Sequence, residues 1–157
     1  MKKTEYQTAQ VIDEVDLQIL EALKENARIS LKSLAEKTYL SSTAVGARIE
    51  KLERAGIIEG YHTKINPRAF GMGIKAYIHL VVEPIQKQNF YPYIRSLENV
   101  IACDCVTGDY SMLIEVLFAS TEELDDFINE LQHFGKTKTQ IVFSSPVEHR
   151  EFFPKNG

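Results

Sequence analysis

A chain of 157 residues, 44% hydrophobic and 25% charged, has the balance of a soluble folded protein and room for one domain or two small ones. No apolar run approaches the ~20 residues needed to span a bilayer, and the opening MKKTEYQTAQ lacks the apolar core and cleavage site of a secretory signal, so the chain reads as cytoplasmic. The net charge of −4 excludes a basic coat; residues 1–65 carry ten Lys+Arg against ten Asp+Glu, leaving eight and twelve beyond, so any nucleic-acid contact belongs to the first part and relies on local charge placement.

Asp13 is positioned to cap a helix over EVDLQILEALKEN, with Ile19, Leu20 and Leu23 as its apolar stripe, Ile12 as a staple, and Glu14 and Asp16 in the first turn, where the helix dipole favours anions. Ser30 caps a second helix, LKSLAEKT, that turns Leu31, Leu34 and Ala35 inward. YLSS is the turn, Ser41 caps a third helix to about Arg54, and Gly56 supplies a left-handed stop. The following IIEGYHTKINP reads as a short hairpin or extended segment bending at Gly60. Three helices and a β-wing are the parts of a winged helix-turn-helix, assigned here to residues 1–65, and the turn-rich NPRAFGMG (66–73) is the linker.

Beyond the linker, IKAYIHLVVEP is a strand with Ile74, Ala76, Ile78 and Leu80 on one face. KQNFYPYIRSLE is helical through Phe90, Ile94 and Leu97, with Pro92 tolerable only near a first turn. NVIACDCVTG and YSMLIEVLFA are strands joined at Gly108-Asp109. Ser120 and Glu123 form a capping box for STEELDDFINELQHF, and TKTQIVFSS is a last strand. The order β-α-β-β-α-β over 74–157 is that of a ferredoxin-like sandwich, so the fold class is α+β. Cys103 and Cys105, at i and i+2, share one face of a strand. The four histidines show no ligand spacing, and the thiols read as reduced and partly buried; no metal, cofactor or catalytic residue is expected. The tail EHREFFPKNG offers a phenylalanine pair to a neighbouring subunit or to its own sheet.

The third helix carries the functional signal. With Val45 inward and about 100° per residue, Ile49 and Leu52 face the other helices. Thr43, Ala47, Glu50, Lys51 and Arg54 point away, with Gly46 and Arg48 at the flanks. A surface small near its start and basic toward its end suits a helix entering a major groove by its N-terminus. Ser41, Ser42 and Thr43 supply hydroxyls for phosphates or base edges; Arg48, Lys51 and Arg54 neutralise phosphates. Gly46 costs about 1 kcal/mol relative to alanine inside a helix, which a close approach to DNA or to a neighbouring helix would justify. The run RIEKLER also fits a solvated face with a Glu50–Arg54 pair.

The stretches DEVDLQILEALKENARIS, LAEKTYLSSTAVGARIEKLERAGIIEGY and CVTGDYSMLIEV, within a pattern running from about Ile12 to Val147, closely resemble the Lrp/AsnC (leucine-responsive, feast/famine) family of prokaryotic transcription regulators. The resemblance implies a helix-turn-helix at about residues 31–50 and a C-terminal effector-binding and oligomerisation domain. It also implies dimers, often built into octamers, that bind pseudo-palindromic double-stranded DNA and bend it. Ser42 stands where the family usually has proline. The effector loop is Gly108, Asp109, Tyr110, Ser111, with Ser111 in place of the usual aspartate, a partner for an amino acid's ammonium group. Thr137 and Thr139 match a second contact surface, so a free amino acid remains a candidate effector, bound through the loop's backbone N–H groups. Two alternatives stay open: an architectural nucleoid protein that senses nothing, and a tetrapyrrole decarboxylase of the same two-domain build, for which no nucleophile–base pair is present.

Overall fold

The structure, a computed structural model, describes residues 12–153. These divide into two compact units, one formed by residues 12–64 with 149–153 and the other by Ile65–Glu148.

The first unit is built on three capped helices. α1 (Glu14–Glu25) starts at Asp13, whose carboxylate accepts the Asp16 N–H at 2.8 Å while Asp16 accepts the Asp13 N–H at 3.3 Å. α2 (Leu31–Thr38) starts at Ser30, which accepts the Ser33 N–H at 3.0 Å. α2 ends at Tyr39, held at φ 55° and ψ 32°, a left-handed conformation that costs a residue with a β-carbon about 1–2 kcal/mol. α3 (Ser42–Arg54) starts at Ser41, which accepts the Ala44 N–H at 3.2 Å, and stops before Gly56 at φ 68°. Ile19, Ala22, Leu34, Ala35 and Val45 close the core, with Val15, Leu23, Ile29, Leu40 and Ile49 packed against it.

Leu31 and the expected wing depart from the sequence expectation, and the structure adds the positions of Ile12 and the tail. Leu31 is 46% exposed, because the first residue of α2 lies at the rim of the bundle beside Gly46. Ile12 also lies at the rim, 37% exposed. Residues 57–66 form no strand, since the Ile57 and Ile58 N–H groups both return to the Leu52 carbonyl (2.9 and 3.2 Å) and fasten the segment to the end of α3. The tail lies with the first unit, where Lys24 Nζ stands 5.2 Å from the Phe153 ring centroid and Phe152 stays 86% exposed.

The second unit is a four-stranded sheet in the order β2-β3-β1-β4, from β1 (Ile74–Leu80), β2 (Val100–Cys105), β3 (Met112–Phe118) and β4 (Thr137–Ile141), with every adjacent pair antiparallel. Alternation sends Ala76, Ile78, Leu80, Met112, Ile114, Val116 and Phe118 to one face. There they pack with Phe90 and Ile94 of α4 (Lys87–Arg95) and Leu124, Phe127 and Leu131 of α5 (Thr121–Leu131). This is the ferredoxin-like arrangement.

Pro92 sits in the sixth position of α4, not its first turn. Both Pro92 and Gln88, whose carbonyl loses its partner, are exposed, so the missing bond faces water. At α5, Ser120 accepts the Glu123 N–H as expected, but Glu123 returns its bond to the Ala119 N–H, one residue outside the usual box. Gly135, at φ 155°, lies so close to β1 that an added β-carbon would stand 1.8 Å from the Val81 carbonyl oxygen.

Candidate nucleic-acid interface and effector loop

The start of α3 divides its hydroxyls by role. Ser41 spends its oxygen on the cap, whereas Ser42 and Thr43 are exposed and their hydroxyls make no hydrogen bond to another described residue. Gly46 is half-buried, and a β-carbon there would meet only Leu31 Cδ1, at 3.8 Å. No neighbouring helix demands a glycine. Ala47 beside it is exposed, so the outer surface of the first turns is low and carries hydroxyls.

The cations do not form one set. Arg48 Nη1 donates to Asp13 at 2.6 Å and to Asp16 at 2.7 Å, and Asp16 is fully buried. The guanidinium hydrogen bond holds the Asp13 carboxyl below the usual carboxylate range, and the two carboxylates raise Arg48 further. Arg48 therefore ties α3 to the cap of α1. Lys51 reaches within 3.9 Å of Asp16 with its side chain 45% exposed, and Arg54 donates from Nε to the Glu50 carbonyl, not to its carboxylate. Lys51 and Arg54 thus remain on the outer face.

The pairing of Arg48 with Asp16 leaves one signal in the sequence. Asp16 lies three residues before Ile19 on the apolar stripe, where a carboxylate requires a partner. Tyr39 leaves a second: it occupies a helix stop that favours glycine or asparagine, and it is 96% exposed.

In the second unit the predicted effector residues other than Thr139 gather at one end of the sheet. Leu80 ends β1 between Met112 of β3 and Thr137 of β4, and Gly108, at φ 110°, turns the loop that precedes β3. Ser111 is committed to the backbone: its oxygen accepts the Val82 N–H at 2.8 Å, its hydroxyl donates to the Leu80 carbonyl at 3.3 Å, and its own N–H reaches the same carbonyl at 3.1 Å. The Tyr110 ring lies 5.3 Å from that of His79 at a tilt of 54°, Asp109 is exposed, and Thr137 receives a long bond of 3.5 Å from Gln132. Thr139 lies further along β4, opposite Ile78.

Cys103 is half-buried, which pushes its thiol up to about 11, and Cys105 contacts Tyr91 and Met112. Among the described residues no three His, Cys, Asp or Glu side chains are grouped to hold a metal ion, and no helix is long and apolar enough to cross a membrane.

A helix-turn-helix unit whose third helix exposes hydroxyls, joined to a ferredoxin-like sandwich, defines a DNA-binding transcription regulator with a separate ligand-binding domain. Residues 12–59 match the winged helix-turn-helix DNA-binding family, and residues 75–152 match the Lrp/AsnC ligand binding domain. The chain belongs to the Lrp/AsnC family. It is 35% identical over 133 residues to the HTH-type transcriptional regulator LrpA of Bacillus subtilis, covering 84% of this chain and 98% of that one. It is 32% identical over 145 residues to the regulatory protein AsnC of Escherichia coli, covering 87% and 93%. Among solved structures, LrpC of Bacillus subtilis superposes with a TM-score of 0.84 at 28% identity, covering 89% and 100%. A Neisseria meningitidis regulator solved with L-methionine gives 0.84 at 25% identity, covering 92% and 97%.

Proposed function

We propose that this regulator works in the cytoplasmic nucleoid as a symmetric assembly that lays the first turns of α3 in the major groove. Ser42 and Thr43 offer hydroxyls to base edges or phosphates, and Ser41 keeps a free O–H for a phosphate. Gly46 and Ala47 let the helix approach closely, and Lys51 and Arg54 neutralise phosphates. Arg48 serves the interface indirectly, by fixing the angle of α3 against α1. The observation that carries this reading is the pair of exposed hydroxyls at Ser42 and Thr43, which have no task inside the fold. Two-fold pairing of such helices calls for pseudo-palindromic half-sites and a bent duplex, and assembly into dimers and octamers supplies the multivalency that a near-neutral reading domain needs.

Two features of the second unit support self-association. Its outer sheet face, with Tyr77, His79, Leu113 and Leu117, is only partly exposed, and Ile141, Phe143 and Val147 are exposed along and beyond edge strand β4. The loop Gly108–Ser111 and the hydroxyls of Thr137 and Thr139 are assigned to a free amino acid. Its carboxylate is held by loop N–H groups and its ammonium by Asp109, the carboxylate the loop retains.

Fluorescence anisotropy on the chain's own promoter duplex and on a scrambled duplex, across a salt series, tests the DNA reading. Lys51→Ala and Arg54→Ala should each lower the slope of log affinity against log salt by about 1. Equal affinity for both duplexes refutes sequence preference. Native mass spectrometry with a panel of amino acids tests the rest; neither a bound mass nor a change of assembly refutes the effector assignment.

A further inference from the structure

Tyr39 is the one non-glycine residue with positive φ among the described residues, and it stands in the turn between α2 and α3. Its backbone role is ordinary: the N–H closes α2 on the Ala35 carbonyl. A glycine would fill that role without strain, and bulky side chains are genuine outliers in this region of φ and ψ. The side chain does not compensate within the fold. It is 96% exposed, and neither its ring nor its hydroxyl has a partner among the described residues. The chain thus holds an aromatic ring in water on a backbone that disfavours it.

Position supplies the reason. Only Leu40 separates Tyr39 from Ser41, the cap of α3, and two residues span at most about 7 Å. The Tyr39 backbone therefore lies within about 7 Å of the hydroxyl-bearing end of the helix assigned to the groove. Phosphate and sugar contacts flanking a recognition helix fix its register, and a tyrosine suits them with an O–H donor and a flat apolar ring. We propose that Tyr39 is a DNA contact, its hydroxyl donating to a phosphate of the strand beside the groove and its ring lying on the adjoining sugar. This rests on the placement of α3 in the groove and adds a residue outside the helix that positions it there.

The test exploits opposite signs. In the full-length chain, Tyr39→Gly should raise the melting temperature by several degrees, because the strain is relieved, and weaken binding to the promoter duplex by about tenfold. Tyr39→Asn, which also tolerates the left-handed turn, should weaken binding likewise. Tyr39→Phe should keep the wild-type melting temperature and lose part of the affinity, the share due to the hydroxyl. With wild type binding normally, undiminished affinity in both Tyr39→Gly and Tyr39→Asn overturns the contact and leaves the ring to a protein partner. A fall in melting temperature for Tyr39→Gly overturns the premise of strain. A wild-type chain that binds no duplex removes the groove placement of α3, and this contact with it.

Discussion

Arg48→Ala decides whether the middle cation of α3 serves the duplex or the fold. The substitution leaves Asp16, fully buried, with the Asp13 N–H at 3.3 Å and Lys51 at 3.9 Å as its neighbours. Removing one partner of a buried ion pair costs about 3–5 kcal/mol. Arg48 is 30% exposed and Lys51 is placed to move inward, so a cost at or below the bottom of that range, about 2–3 kcal/mol, is expected. At about 4–8 °C per kcal/mol for a small domain, the first unit should melt some ~10–20 °C lower.

DNA affinity falls whether Arg48 is a clamp or a phosphate ligand, so affinity alone does not separate the two. The salt dependence does: measured below the variant's melting range, a clamp leaves the slope unchanged, whereas a lost phosphate contact lowers it by about 1. Thermal unfolding by circular dichroism, together with anisotropy titrations at several salt concentrations, gives both numbers. Melting within a degree of wild type, with a slope reduced by one contact, would refute the clamp.

The same clamp predicts an acid response. Arg48 holds the folded Asp13 below its ordinary 3.8, so its stabilisation is present above that value and lost as pH falls through the folded one. The melting temperature of the first unit should therefore decline below about pH 4, and Arg48→Ala should flatten that decline; an identical profile in both proteins counts against the pairing. Gly135→Ala forces a β-carbon toward the Val81 carbonyl and should destabilise the second unit by about 3 kcal/mol or more, with an unchanged denaturation midpoint as the contrary result. Ser111→Ala removes the acceptor of the N–H of buried Val82 and should cost about 1–3 kcal/mol, read in the same denaturation series; a neutral outcome would mean that another group takes the bond.

Local chemistry was legible in the sequence. Asp13, Ser30, Ser41 and Ser120 cap the helices they were expected to cap, because a cap involves residues within three or four of each other. The strand faces followed from alternation, and the sheet order from the succession of elements. What escaped was decided at long range. Arg48 and Asp16 are 32 positions apart, and nothing in RIEKLER announces that its arginine is already engaged. Pro92 survives inside α4 because that face is open to water, which a count from the helix start does not reveal. Leu31 fits the periodic stripe, yet a helix end lies at the edge of the core. The Ser111 substitution could be seen, but not that its hydroxyl joins two neighbouring backbone groups.

That hydroxyl both accepts a hydrogen bond and donates one, and an ionised aspartate at the same place could only accept. Ser111→Asp would keep the bond from Val82 but set two acceptors, the carboxylate and the Leu80 carbonyl, against each other. Their repulsion would be relieved only by a donor brought from outside, such as an ammonium ion. The wild-type strand end is thus self-sealed, whereas the aspartate variant would depend on its visitor for cohesion.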